Sequence, residues 1–109
     1  MQLQEISNTQ SKEYPKKSID SVQKIINALG DNLIITVIDG GLVAYNYWGD
    51  EQDNNTEIEI CYNPTDKLYH VDVRYIPTTD SGRDYGYAKN IAELEALYHK
   101  MRTKYSLHK

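Results

Sequence analysis

Apolar and polar side chains alternate with a period of two between residues 33 and 76, and on either side the apolar spacing lengthens to that of a helix. LIITVID and LVAYNYW flank a glycine pair, and TEIEICYN and LYHVDVRYI flank Pro64-Thr65-Asp66-Lys67. Each half reads as a β-hairpin, which predicts strands over 33–38, 42–48, 56–62 and 68–76. Before them, Ile19, Val22, Ile25, Ile26 and Leu29 recur at helical spacing behind Ser18, a good N-cap residue, and ahead of Gly30. That pattern predicts a helix over 18–29. After them, Asn90-Ile91-Ala92-Glu93 is close to a capping box, and Ile91, Leu94, Leu97, Tyr98 and Met101 form one stripe of a helix over 90–104. Residues 1–14 show no clear period and read as an extended or loose arm before a single domain over 15–109.

The order is therefore α-β-β-β-β-(β)-α, an α+β fold. Hairpin connections make the four-stranded sheet an antiparallel meander. Tyr85-Gly86-Tyr87 reads as a short fifth strand, with a plain loop as the alternative. Both helices most easily cover one sheet face, made by Leu33, Ile35, Val37, Ile58, Ile60, Val71 and Val73.

Pairing follows from the turns. A four-residue loop in the second hairpin sets Tyr62 against Tyr69, Ile60 against Val71 and Ile58 against Val73. The reverse face then carries Glu57 against Arg74, Glu59 against Asp72 and Cys61 against His70. Glu59 facing Asp72 is a like-charge pair, which counts against that register. In the first hairpin a three-residue loop, Asp39-Gly40-Gly41, aligns Leu33, Ile35 and Val37 with Tyr47, Tyr45 and Val43. A two-residue loop is the alternative, because the strand before it is apolar on both faces. Under the three-residue register the outer half-face is apolar or neutral, with Ile34, Thr36, Ile38, Leu42, Ala44 and Trp48. Such a patch asks for a cover: the arm, a second copy as a homodimer, or a partner.

At 109 residues the chain forms one domain able to build a core without metal or disulfide staples. No apolar run approaches the ~20 residues of a membrane span. A start without the basic-then-apolar pattern of a secretory signal, together with a single cysteine, Cys61, leads to the expectation of a cytoplasmic protein. The aromatic set is ten Tyr, one Trp and no Phe, so many rings must end where a hydroxyl reaches water or a partner.

Charge is uneven. From Asp39 to Asp66 there are seven acidic residues and no Lys or Arg, whereas the net charge of the whole chain is only −4. Direct nucleic-acid binding is disfavoured for such a chain, since affinity there comes from neutralising phosphates. Candidate catalytic chemistry is scarce. The histidines lack metalloprotease spacing, Asp50–Asn55 lacks the glycine and glutamate of a calcium loop, and one cysteine makes no structural zinc site. Cys61 opposite His70 is the one nucleophile–base pair the register yields, and acidic strand neighbours disfavour its thiolate. The sequence therefore predicts no catalytic residues, no metal and no cofactor.

The expectation is a small, acidic, non-catalytic protein-binding module. Tyr45, Tyr47, Trp48, Asp50, Glu51, Asp53, Glu57 and Glu59 would form its surface, with Trp48 as the aromatic anchor. Its partner would be a protein with a basic surface: a nuclease, effector or toxin. Stoichiometric inhibitors of the phage anti-defence (anti-CRISPR-like) or toxin-immunity type share this composition. A homo-oligomeric accessory protein, or a small ligand-binding or enzymatic domain with its site between the 78–87 loop and the sheet, are the alternatives.

Overall fold

The computed structural model describes residues 4–5, 15–38, 40–49, 54–77 and 82–105. In chain order these form β1 (Gln4–Glu5), α1 (Lys16–Leu29), β2 (Ile34–Ile38), β3 (Gly41–Gly49), β4 (Asn54–Asn63), β5 (Leu68–Pro77), β6 (Gly82–Ala88) and α2 (Ile91–Tyr105). The strands lie side by side in that same order, every neighbour antiparallel, with β1 contributing only two residues at one edge. Both helices pack on one face, so the expected α+β meander is present, and the fifth full strand is β6.

The helices begin and end for local reasons. α1 starts at Lys16 after Pro15, two residues earlier than Ser18 had suggested, so Ser18 lies inside the first turn and caps nothing. Proline suits that boundary because it has no N–H to leave unpaired. Gly30, at φ 62°, ends the helix and donates its N–H to the Ile26 carbonyl. At the start of α2, Asn90 Oδ1 accepts the Glu93 N–H at 2.9 Å, while Glu93 Oε1 reaches back to the N–H of Lys89 at 3.0 Å. This is a capping box with its return arm displaced by one residue.

The second hairpin has the register that alternation demanded, from Asn63 opposite Leu68 through Cys61–His70, Ile60–Val71, Glu59–Asp72, Ile58–Val73 and Glu57–Arg74. Its turn is held by the Lys67 N–H on the Asn63 carbonyl and by Asp66 Oδ1 on the Leu68 N–H, at 2.8 and 2.9 Å. The first hairpin takes the two-residue loop instead. Ile38 pairs with Gly41, Val37 with Leu42, Ile35 with Ala44 and Ile34 with Tyr45, leaving Asp39-Gly40 as the connection. Gly40 sits at φ 83°, the left-handed conformation that tight hairpins of Asp-Gly type require.

That difference turns β3 over. Leu42, Ala44 and Trp48 face the helices with Leu33 and Ile35, while Val43, Tyr45 and Tyr47 face outward with Ile34, Thr36 and Ile38. One residue of slip exchanges faces along a whole strand. The main core thus joins Val22 and Ile25 of α1, Leu94, Tyr98 and Met101 of α2, and the sheet residues Ala44, Trp48, Ile58, Ile60, Val71 and Val73. A smaller cluster of Ile38, Val43 and Tyr45, with Ile34 and Cys61 packed on it, lies on the outer side.

A polar clamp closes the helix side. The Tyr98 hydroxyl donates to Asp31 Oδ2 at 2.6 Å, and Arg102 Nη1 meets the same oxygen at 3.0 Å. Asn46 of β3 donates to the Asp31 carbonyl at 2.7 Å and to the Tyr98 hydroxyl at 3.2 Å. Asp31 and Asn32, both at positive φ, form the turn between α1 and β2, so the clamp ties that turn to the sheet and to α2. Burial, with the Asp31 carboxylate beside it, pushes the Tyr98 hydroxyl above the ordinary tyrosine range.

Candidate interaction face

With both helices on one side, the opposite side of β4, β5 and β6 is an open ladder of cross-strand rows. One row runs Tyr47–Glu57–Arg74–Arg83, the next Tyr45–Glu59–Asp72–Tyr85, and a third includes Cys61–His70–Tyr87. Alternation fixes these identities, since residues i, i+2 and i+4 of a strand share a face. Tyr47, Tyr85 and Tyr87 are the large apolar side chains most open to solvent among the described residues, at 46, 55 and 60 % exposure. All three stand on this face.

The charges between them are interlocked. Arg83 binds Asp72 through Nε at 3.1 Å and Nη2 at 2.7 Å, a two-pronged contact. Arg74 spans Glu57 and Glu59 more loosely, at 3.5 and 3.6 Å. The Glu59–Asp72 like-charge pair is therefore real and is offset by an arginine on each flank. It leaves a trace: burial first, and then the Asp72 charge, raises the Glu59 carboxyl above the ordinary glutamate range, against the pull of Arg74. Tyr45 is buried and donates to Glu57 Oε1 at 2.9 Å; burial and that carboxylate raise its hydroxyl well above the tyrosine range.

The sequence-predicted surface is thus split. Tyr45, Tyr47, Glu57 and Glu59 come together on the outer face, with Tyr45 beneath the surface and Tyr47 on it. Trp48 does not join them. It is 2 % exposed in the main core, edge-on to Tyr98 at 5.5 Å and under the Arg102 guanidinium, also at 5.5 Å. Its assignment as a surface anchor is corrected by the two-residue hairpin, and Leu42 leaves the outer patch for the same reason. Asp50, Glu51, Asp53 and residues 78–81 lie outside the described residues, while the rest of the expected 78–87 loop is strand β6. The residues that sequence reasoning missed are Asp72, Arg74, Arg83, Tyr85 and Tyr87. Their signal was available in the strand register and in Tyr85-Gly86-Tyr87, whose outer residues must share a face.

Cys61 and His70 are cross-strand neighbours, as the register required, yet no hydrogen bond joins them. His70 Nε2 is held instead by Asp66 Oδ2 at 2.6 Å, and the ring stands edge-on to Tyr87 at 4.9 Å. Burial, then Glu59, Asp66 and Asp72, pushes the Cys61 thiol upward, away from the reactive thiolate. Among the described residues no group of three His, Cys, Asp or Glu side chains could hold a metal ion.

Hollows on both sides of the sheet mark the described surface. A cavity of about 210 Å³ on the outer face is lined by Val43, Glu59, Cys61, His70, Asp72, Tyr85 and Tyr87. A wider cleft of about 520 Å³ lies between α1, the β4–β5 hairpin and the start of α2, lined by Lys17, Lys24, Lys89, Tyr62 and Tyr69. No helix among the described residues is long and apolar enough to cross a membrane. Comparison of the chain with protein-family models, with curated proteins and with solved structures found no match.

Proposed function

We propose that this chain is a non-catalytic protein-binding module. In this reading the helix-free sheet face and the acidic segment joining β3 to β4 dock on a basic protein surface, as a stoichiometric inhibitor of the anti-defence or toxin-immunity type would. The observation that carries the reading is the grouping of Tyr47, Tyr85 and Tyr87, the most exposed large apolar side chains described, on one face with Glu57, Glu59 and Asp72. Tyrosine supplies broad contact area at low entropic cost, and rings beside charges are the composition of interface hot spots. Asp50, Glu51 and Asp53 fall in the sequence between β3 and β4, whose outward residues include Tyr47 and Glu57. A nucleic-acid-binding site on a nuclease or effector is the basic surface such carboxylates would occlude.

The test is comparative capture followed by kinetics. Wild type, the triple variant Tyr47→Ala/Tyr85→Ala/Tyr87→Ala, the triple variant Asp50→Lys/Glu51→Lys/Asp53→Lys and the α2 control Glu95→Ala/His99→Ala are used to capture proteins from a bacterial lysate. The expected result is a basic protein retained by wild type and control and lost by both outer-face variants. Its association rate should fall steeply with added salt. Retention by both outer-face variants, or loss by the control alone, overturns the reading, and recovery of the chain itself favours the homo-oligomeric alternative.

A further inference from the structure

The smaller cavity has the size and chemistry of a socket for one side chain. At about 210 Å³ it falls below the roughly 300–1,000 Å³ of small-molecule sites. Its aromatic wall is Tyr85 and Tyr87, successive outward residues of β6. Tyr87 is steadied by the His70 ring, and His70 by Asp66. Its anionic side is Glu59, whose contact with Arg74, at 3.6 Å, is longer than a good charged hydrogen bond. Asp72, next to it, is already taken by Arg83 through two short bonds.

The chain displays the matching chemistry on its own rim. The Arg83 guanidinium grips Asp72 and lies 5.5 Å from the centre of the Tyr85 ring. A planar cation thus already combines a carboxylate and a tyrosine at one edge of the cavity. Glu59 and Tyr87, a second carboxylate and a second tyrosine, line the same cavity. Resting on the outer face as the binding surface, we propose that this cavity receives a single arginine side chain of the basic partner, its guanidinium lying between the Glu59 carboxylate and the rings of Tyr85 and Tyr87. Arginine is preferred over lysine because its flat fork can meet a carboxylate edge-on while its face stacks on a ring. The raised Glu59 carboxyl is consistent with this assignment, since a second nearby cation would relieve the crowding with Asp72.

The experiment uses the isotope-labelled chain alone, so it does not depend on finding the partner. N-acetyl-arginine methylamide is titrated while backbone amide resonances are followed, with the lysine and citrulline counterparts as probes of charge and shape. Arginine amide should give saturable shifts centred on Cys61, His70, Tyr85 and Tyr87, with a dissociation constant on the order of millimolar. The neutral citrulline amide should give none, and the lysine amide weaker ones. Glu59→Gln, which keeps the shape, should weaken arginine binding by about tenfold, a difference of about 1.4 kcal/mol. Arg83→Gln, which vacates Asp72, should strengthen it. Equal shifts from citrulline, no shifts at the cavity, or unchanged affinity in Glu59→Gln with a native spectrum would overturn the socket. Failure there, with partner capture still lost in the tyrosine variant, removes the socket and leaves the outer-face reading standing. Success there, with capture unaffected, removes the outer-face reading and with it the partner's arginine as the natural occupant.

Discussion

Trp48 and Tyr47 are adjacent in sequence, and the first hairpin's register sends them to opposite faces, so substituting each with alanine tests that register directly. Trp48 is 2 % exposed and touches the Tyr98 ring edge and the Arg102 guanidinium. Truncating a buried tryptophan typically costs ~3–5 kcal/mol through lost burial and the cavity left behind. The edge-on contact with Tyr98, a kind of contact worth ~0.5–1.5 kcal/mol beyond area, places Trp48→Ala in the upper part of that range. Tyr47 is 46 % exposed and lies opposite Glu57 on the outer face. A half-open cross-strand residue of this kind is worth up to about 1 kcal/mol. Urea unfolding followed by far-UV circular dichroism reads both variants, since Trp48→Ala has no indole signal. With a slope of about 2 kcal/mol per molar, the Trp48→Ala midpoint should fall by about 2 M and the Tyr47→Ala midpoint by no more than about 0.5 M. The whole domain is worth only about 5–15 kcal/mol, and a loss of that size can leave Trp48→Ala unfolded before urea is added. That outcome, with Tyr47→Ala folded, preserves the order. Equal losses, or a larger loss in Tyr47→Ala, would refute the two-residue loop and restore Trp48 to the surface.

Three further variants probe the interior and the outer face. Tyr98→Phe removes the hydroxyl that bonds Asp31 and Asn46 while leaving Arg102 on Asp31, so thermal unfolding should show a loss of about 1.5–2 kcal/mol, within the range for hydrogen bonds to charged groups. The Thr56 hydroxyl is fully buried and has no hydrogen-bond partner among the described residues, so Thr56→Val should be neutral or stabilising by up to about 1 kcal/mol in the same assay. Glu59 has a folded-state carboxyl raised above its unfolded value, so the folded protein holds the extra proton and the ionised group opposes folding at neutral pH. Glu59→Gln should then be at least as stable as wild type at pH 7, and the gap should narrow as pH falls through the raised value to the ordinary glutamate range. A gap that widens on acidification would contradict the sign.

The order of elements, the faces of both helices and the second hairpin were all readable in the chain, because each rests on a one-sided pattern. In β4 the apolar Ile58 and Ile60 alternate with Glu57 and Glu59, so a one-residue slip against β5 would set the glutamates on the valine face, and the four-residue turn from Asn63 to Leu68 fixes the rest. The first hairpin was not readable in that way. β2 is apolar on both faces, so loops of two or three residues satisfy its local pattern equally, and the choice fell to tertiary packing. β3 pairs with β4 so that Ala44 lies beside Ile60 and Trp48 beside Thr56, under the helices, and Asn46 reaches Asp31 and Tyr98 from that same face. The clamp joins residues 67 positions apart, and no local spacing encodes it. The approach of α2 to β6 is similar: a Cβ built on Gly86 would lie 2.7 Å from a Leu97 methyl, a constraint that exists only once the helix is seated. A strand's own sequence sets which residues share a face, whereas what covers that face is decided by elements distant in the chain. For that reason the sequence could place Tyr47 and Trp48 on opposite sides of β3 but could not say which of them the helices would bury.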